Sequence, residues 1–404
     1  MTTNDPAEAE QNPIPTNHCS WLNELEAELL SLRDVVLLRE LRVVTPIGKH
    51  VERGGRRLLN FAGNDYLGLA QHPLLVQASV DAARQFGVGS GASRLVTGHQ
   101  PIHQQVEERF AALKHAGAAL LFPTGYMANL AVLSTLADKS DVILLDKLNH
   151  ASLIDAAHAS GAEVRVYPHL NHDKLEKLLE RYQSARRRLI VTDSVFSMDG
   201  DVADLPTLCG LAEKYNAITV VDEAHGTGVL GNTGAGLCEM QHVGDKVDIV
   251  ISTASKAMAS LGGIVTARKV VIGTLVNKAR SFIYTTGVPP TQAAVILAAL
   301  ELIELEPQRR ERLHAIIAEV RTSLADRGYE MRIDLATPIV PLIVNSPEAA
   351  ISLSNHLEKH GIYAPAIRPP TVAPNACRVR LTLRADLTDE DVTTLLNAMD
   401  AWSA

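Results

Sequence analysis

Seven short runs of apolar, often β-branched residues recur between positions 118 and 266, and they narrow the folds open to this chain. They are Ala118–Phe122, Asp141–Asp146, Glu163–Pro168, Arg188–Asp193, Ala217–Asp222, Asp248–Thr253 and Gly262–Thr266. Several are continuously apolar rather than alternating, the pattern of strands buried on both faces of a mostly parallel sheet. Helical stretches such as Asp173–Arg181 and Leu205–Tyr215 separate them. The expectation is an α/β fold built on a mostly parallel seven-stranded sheet.

Ahead of this core, Leu22, Leu25, Leu29, Leu32 and Val36 recur at spacings of three and four, which predicts an amphipathic helix over residues 20–43. Gly54-Gly55 marks a turn before a short strand at Leu58–Phe61. Near residue 300 the character changes. Helical patterns at Gln292–Leu305 and Arg309–Arg327 lead to strands at Ile339–Val344 and Arg378–Leu383, and Thr388 with Asp391 resembles a capping box opening a last helix. This divides the chain into a flexible tail (residues 1–19), an N-terminal helical arm (20–60), a large domain (61–300) and a smaller C-terminal α+β domain (301–404).

Composition excludes several classes of function. With 46% apolar and 21% charged residues over 404 positions, the chain can bury a large core and is neither disordered nor fibrous. A formal net charge of −8 argues against a nucleic-acid partner, which needs a basic face. The four cysteines (Cys19, Cys209, Cys238 and Cys377) have no metal-like or framework spacing, so neither zinc nor disulfides are expected. No apolar run approaches the roughly 18–20 residues of a membrane span. The polar, acidic N-terminus resembles neither a signal nor a transit peptide, and a cytoplasmic protein is expected.

In open parallel sheets, ligands bind at the carboxyl ends of the strands. Here the strand Ala217–Val221 runs into Asp222-Glu223-Ala224-His225-Gly226, and the next ends in Thr253-Ala254-Ser255-Lys256 before Gly262-Gly263. An Asp at one strand end and a Lys just beyond the next can converge on one heteroaromatic ring. Pyridoxal 5′-phosphate (PLP) needs that pair: a carboxylate to keep its ring nitrogen protonated and an amine to form an imine. Taken singly, such a Lys is more often a surface residue and such an Asp a helix cap. Gly226-Thr227-Gly228-Val229-Leu230-Gly231 matches a dinucleotide fingerprint in form, but loop residues follow where that motif opens a helix.

Several longer motifs occur in order: Asn64-Asp65-Tyr66-Leu67-Gly68-Leu69, the Gly89–Gly98 loop, Phe196-Ser197-Met198-Asp199-Gly200, Asp222–Gly228 and Ser255-Lys256. Together, over roughly residues 20–402, they resemble the α-oxoamine synthases among the fold-type I PLP enzymes. The resemblance implies PLP as cofactor, Lys256 as its Schiff-base lysine and later the base for the α-proton, and Asp222 as partner of the ring nitrogen. His225 would bond the phenolic oxygen and His150 would stack on the ring, although a merely structural buried histidine is the alternative for His150. Gly125 and Tyr126, followed by a helix, would cradle phosphate with Ser197 and Thr253 nearby. Thr285 and Thr286 would be lent by the neighbouring subunit of a homodimer.

For the substrate, Arg380 would hold a carboxylate with Asn64 beside it, while Arg378, on the same strand face, is more simply structural. Ile367-Arg368-Pro369-Pro370-Thr371-Val372 resembles the members that join L-alanine to a pimeloyl thioester, with Arg368 and Thr371 on the acyl side and Arg39 as a contact for a coenzyme A moiety. Sibling reactions, glycine or serine with another acyl-CoA, remain open. Ala257–Leu261 and Ala92 depart from the family where glycine is commoner.

Overall fold

The computed structural model describes residues 20–402; the expected tail at 1–19 lies outside them. All seven apolar runs form strands: β1 (Ala118–Phe122), β2 (Val142–Asp146), β3 (Glu163–Tyr167), β4 (Arg188–Asp193), β5 (Ile218–Asp222), β6 (Ile249–Thr253) and β7 (Gly263–Ala267). They join in one sheet of order β1-β7-β6-β5-β4-β2-β3. Neighbours pair parallel except at β7, which is antiparallel to both β1 and β6. The cause is the connection. Only residues 254–262 join β6 to β7, too few for the crossover that a parallel neighbour requires.

Alternate residues of a strand point to opposite faces, and both faces here are covered. Val142, Leu144, Ile190 and Val221 pack into one apolar cluster, Ile143, Leu145, Leu189 and Val220 into the other. Burial on both sides explains the uninterrupted apolar runs of β2 and β4. At the sheet edge β3 leaves most of its residues exposed or half-buried, and its sequence (Glu-Val-Arg-Val-Tyr) alternates accordingly.

Two features of the arm depart from the sequence reading. The helix spans Ser20–Asp34 rather than 20–43, and none of its residues is buried. Val36 takes a left-handed φ of 59°, and the amides of Leu37 and Leu38 fold back onto the Leu32 carbonyl, which closes the helix although the leucine spacing continues. Residues 45–60 then form three short antiparallel strands, Thr45–Ile47, His50–Arg53 and Arg56–Asn60. The last of these pairs in parallel with Ile362–Tyr363, which ties the arm to the C-terminal region.

That region holds a second sheet, Ile339–Asn345, Cys377–Thr382 and Ala366–Ile367, with Cys377–Thr382 in the centre. The helices Pro347–Lys359 and Asp389–Asp400 accompany it. Thr388 and Asp391 cap the last helix reciprocally, as their spacing predicts. No described helix is long and apolar enough to cross a membrane.

Candidate active site

The carboxyl ends of β2, β4, β5 and β6 open into a cleft of about 830 Å³, closed on the far side by the C-terminal sheet. Lys256 lines it, on the loop that follows β6, half-buried and without an ion pair among the described residues. Burial lowers its pKa, the nearby carboxylates of Asp222 and Asp193 resist, and the balance leaves the amine at about 8.

Asp222 ends β5. One of its carboxylate oxygens accepts from Asn129 Nδ2 at 2.8 Å and the other from the Ala224 amide at 2.9 Å. Asn129 also donates to Ser152 Oγ at 2.8 Å. Asp193 ends β4 in register with Asp222 and accepts from the His150 amide at 2.8 Å. Burial first, and then the Asp222 charge, raise the Asp193 carboxyl well above the usual carboxylate range.

His225 is buried in the turn after β5 and lines the cleft. Burial, with Lys256, Arg380 and His150 adding to it, pulls its pKa well below the ordinary value, so its imidazole is neutral. The Tyr66 hydroxyl lies 2.6 Å from its Nδ1 and 3.3 Å from Asn64 Oδ1. His150 caps the helix Ala151–Ala159 and exposes its ring to the cleft, with Nδ1 2.7 Å from Ser152 Oγ. Burial lowers its pKa as well.

Arg378 and Arg380 project from the central strand of the small sheet into the cleft wall. Arg378 is held by three bonds: it donates to Ala376 O at 2.9 Å, Met198 O at 3.0 Å and Asp199 at 2.5 Å. Arg380 donates to Asn64 Oδ1 at 3.2 Å, and its buried Nε has no partner. A guanidinium at a cleft wall without an ion pair among the described residues suits an anionic acceptor.

Ser197 is half-buried in the cleft wall, between Phe196 and Met198. Gly125 opens the helix Gly125–Leu136, whose N-cap Thr124 accepts from the Met127 amide. Its Cα faces Thr253, where an added Cβ would stand 3.6 Å from the hydroxyl. Thr253 is buried and bonded to Gly262 O and Ser255 Oγ. Gly263 sits so close behind this turn that any side chain would collide with the Thr124 carbonyl. Tyr126 points away, half-exposed, and donates to Asp155 at 2.6 Å.

Eight predicted residues do not line the Lys256 cleft of their own chain: Asp222, Gly125, Tyr126 and Thr253, described above, and Thr285, Thr286, Arg39 and Arg368. Thr286 is exposed and bridges to Ser93, and Thr285 lies against Met127. Arg39 and Arg368 line an adjoining groove of about 600 Å³ that meets the cleft at Thr371. There Arg39 donates to Pro369 O at 3.1 Å and Thr371 Oγ1 at 3.4 Å, and Arg368 donates to Val36 O.

Asn129, Tyr66 and Asp193 carried no assigned role in the sequence reading. Each had a signal: Asn129 lies one helical turn after Gly125, Tyr66 lies inside the Asn64–Leu69 motif, and Asp193 ends a strand as Asp222 does.

A parallel-sheet large region with a lysine and an aspartate at neighbouring strand ends defines a fold-type I enzyme, and the family model for aminotransferase class I and II matches residues 56–399. By sequence the chain is 44% identical to a putative 8-amino-7-oxononanoate synthase of Desulforudis audaxviator, over 93% of this chain and 97% of the relative. It is 43% identical to 8-amino-7-oxononanoate synthase 2 of Bacillus subtilis, over 93% and 96%. The chain belongs to the 8-amino-7-oxononanoate synthase family. Among solved structures, a serine palmitoyltransferase from S. paucimobilis with PLP and myriocin bound superposes with a TM-score of 0.89 at 27% identity, over 95% of this chain and 98% of that one. The 8-amino-7-oxononanoate synthase of Francisella tularensis matches at 0.74 and 29%, over 85% and 97%.

Proposed function

We propose that this protein condenses L-alanine with a pimeloyl thioester, releasing carbon dioxide and the thiol to give 8-amino-7-oxononanoate, a step of biotin synthesis, with PLP as cofactor. The observation that carries this reading is that Lys256 and Arg380 line one cleft, with the Asp222 carboxylate buried close enough to act on the Lys256 amine. The donor set fits PLP: a carboxylate for the ring nitrogen, a neutral histidine for the phenolic oxygen and a helix N-terminus for the phosphate. When bound, PLP supplies a carbonyl that links to amines and a protonated ring that draws electrons from the substrate's α-carbon.

The chain's own residues do the rest. Lys256 holds the cofactor covalently, and an amine with a pKa of about 8 is largely free of its proton in mildly alkaline conditions. When not bonded to the cofactor, Nζ would serve as the base that takes the proton from the alanine α-carbon. Asp222, oriented by Asn129 and the Ala224 amide, keeps the ring nitrogen protonated. His225 would bond the phenolic oxygen and His150 would lie against the ring.

Gly125, Tyr126, Ser197 and Thr253 contact the phosphate and oxygen atoms of the cofactor, through the backbone in the case of Tyr126. Arg380 and Asn64 hold the alanine carboxylate, and Arg368, Thr371 and Arg39 line the route of the acyl chain and its carrier, coenzyme A or a carrier protein. Thr285 and the exposed Thr286, both outside the cleft of their own chain, serve the neighbouring subunit of a homodimer with shared sites. The working compartment is the cytoplasm.

A sibling reaction, serine or glycine with another acyl-CoA, has one observation in its favour, the higher structural similarity to serine palmitoyltransferase. Sequence identity weighs the other way, at 43–44% against 27%. Thiol release from pimeloyl-CoA, measured in parallel with L-alanine, glycine and L-serine, decides between them. Release with L-alanine alone supports the proposal; release only with glycine or serine overturns it.

A further inference from the structure

Residues 196–201 leave the end of β4 and form one wall of the cleft, where Phe196, Ser197, Met198 and Asp199 face the cavity. The wall is held from behind at three points. Arg378 grips Met198 O and Asp199. Thr337 donates to the Gly200 carbonyl, and Gly200, at φ 73°, lies against Ile339 O. The third is His169, on the loop after β3.

His169 Nδ1 lies 2.8 Å from Asp146 Oδ1 and its Nε2 2.6 Å from Asp201 Oδ2, while its ring meets Phe196 edge-on at 4.4 Å between centroids. Two ring nitrogens that both face carboxylates must both donate, and only the imidazolium has two N–H groups. Asp146 ends β2 and is buried; it also accepts from the Leu148 and Leu170 amides. Asp201 has no such support, for its Oδ1 is buried and unpartnered. Its side chain therefore depends on His169.

We propose that protonated His169 is a positioning residue, tying the cleft wall to the end of β2 and thereby setting where Ser197 and Met198 stand. This rests on the reading of the cleft as the site for PLP and the acyl donor. The ionisable groups facing the bridge are Asp146 and Asp201. Behind them, Asp193 and Tyr167 act on Asp146, and Arg332 acts on Asp201. Burial pulls the His169 pKa down, but the two carboxylates raise it by more, to about 9. A histidine raised above its ordinary value holds its bridge fully at neutral pH and below, and loses it as the pH climbs through about 9.

The test uses the holoenzyme and its His169→Gln and Asp201→Asn variants between neutral and strongly alkaline pH. Two quantities are read: the affinity for PLP, from absorbance on dilution, and the KM for pimeloyl-CoA. In the unaltered protein at least one of them worsens about tenfold as the pH passes the His169 pKa. His169→Gln, which can never become charged, carries that roughly tenfold defect at every pH and shows no step. Asp201→Asn leaves one carboxylate on the ring and moves the step to lower pH, and it serves alone if His169→Gln fails to fold. A wild-type value at neutral pH or a retained step in His169→Gln, or an unmoved step in Asp201→Asn, overturns the proposal. PLP affinity needs no turnover, so a protein that shows the step but releases no thiol refutes the reaction and leaves the bridge standing.

Discussion

Asp193 and Asp222 end adjacent parallel strands in register, so two buried carboxyl groups stand side by side within electrostatic reach of Lys256. Neighbouring carboxyls in a low-dielectric site cannot both ionise freely, and their environments separate the roles. Asp222 has an amide N–H on each oxygen, whereas Asp193 is pushed up by burial and by Asp222.

Burial and the Asp222 charge favour the protonated form of Asp193, with which asparagine is nearly isosteric. Asp193→Asn is therefore expected to change kcat by no more than about threefold, whereas Asp222→Asn lowers it by at least about a hundredfold. Steady-state rates with L-alanine and pimeloyl-CoA check this. Equal losses from the two would show that both carboxylates act ionised.

The amine of Lys256 should behave as a base of pKa about 8 in the cofactor-free protein. Its rate of arylation by fluorodinitrobenzene is expected to rise through that pH, not through the range of an exposed lysine near 10.5. Peptide mapping of the labelled protein gives the site-specific rate.

Arg380 lines the cleft and makes no ion pair among the described residues. Arg380→Ala is expected to raise the KM for L-alanine by about a hundredfold, and Arg380→Lys by about tenfold, because a point charge cannot reproduce the bidentate fork. The KM for pimeloyl-CoA should move far less. A shared rise in both constants would place Arg380 on the acyl side instead.

Two backbone positions make opposite predictions. Gly200 adopts φ 73° with the Ile339 carbonyl packed where a side chain would begin, so Gly200→Ala should cost about 2–3 kcal/mol and lower the melting temperature. Ala259 holds a left-handed φ of 50° in the loop after Lys256. Ala259→Gly should gain about 0.5–1 kcal/mol, the relief of the Cβ clash less the entropy of a freer unfolded chain. Thermal unfolding of the two variants beside the parent protein reads both signs.

The sequence by itself determined the large sheet and its chemistry. Continuous apolar runs can only be buried on both faces, and polar residues at the ends of such runs must gather at one edge of a parallel sheet. For that reason Asp222 and Lys256 are legible at the strand ends, whereas the role of His225 follows only from the resemblance to the α-oxoamine synthases. Periodicity carries no information on where a helix stops when the leucine pattern outlasts it, and the arm helix ends at Asp34 because Val36 turns left-handed.

Tertiary structure alone decided the contacts between distant segments. Tyr66 reaches His225, Asn129 reaches Asp222, Arg378 reaches Asp199, and His169 joins Asp146 to Asp201. None of these pairs follows from local spacing. Each comes from how the loops and the small sheet pack over the strand ends, where every buried polar group must find a partner.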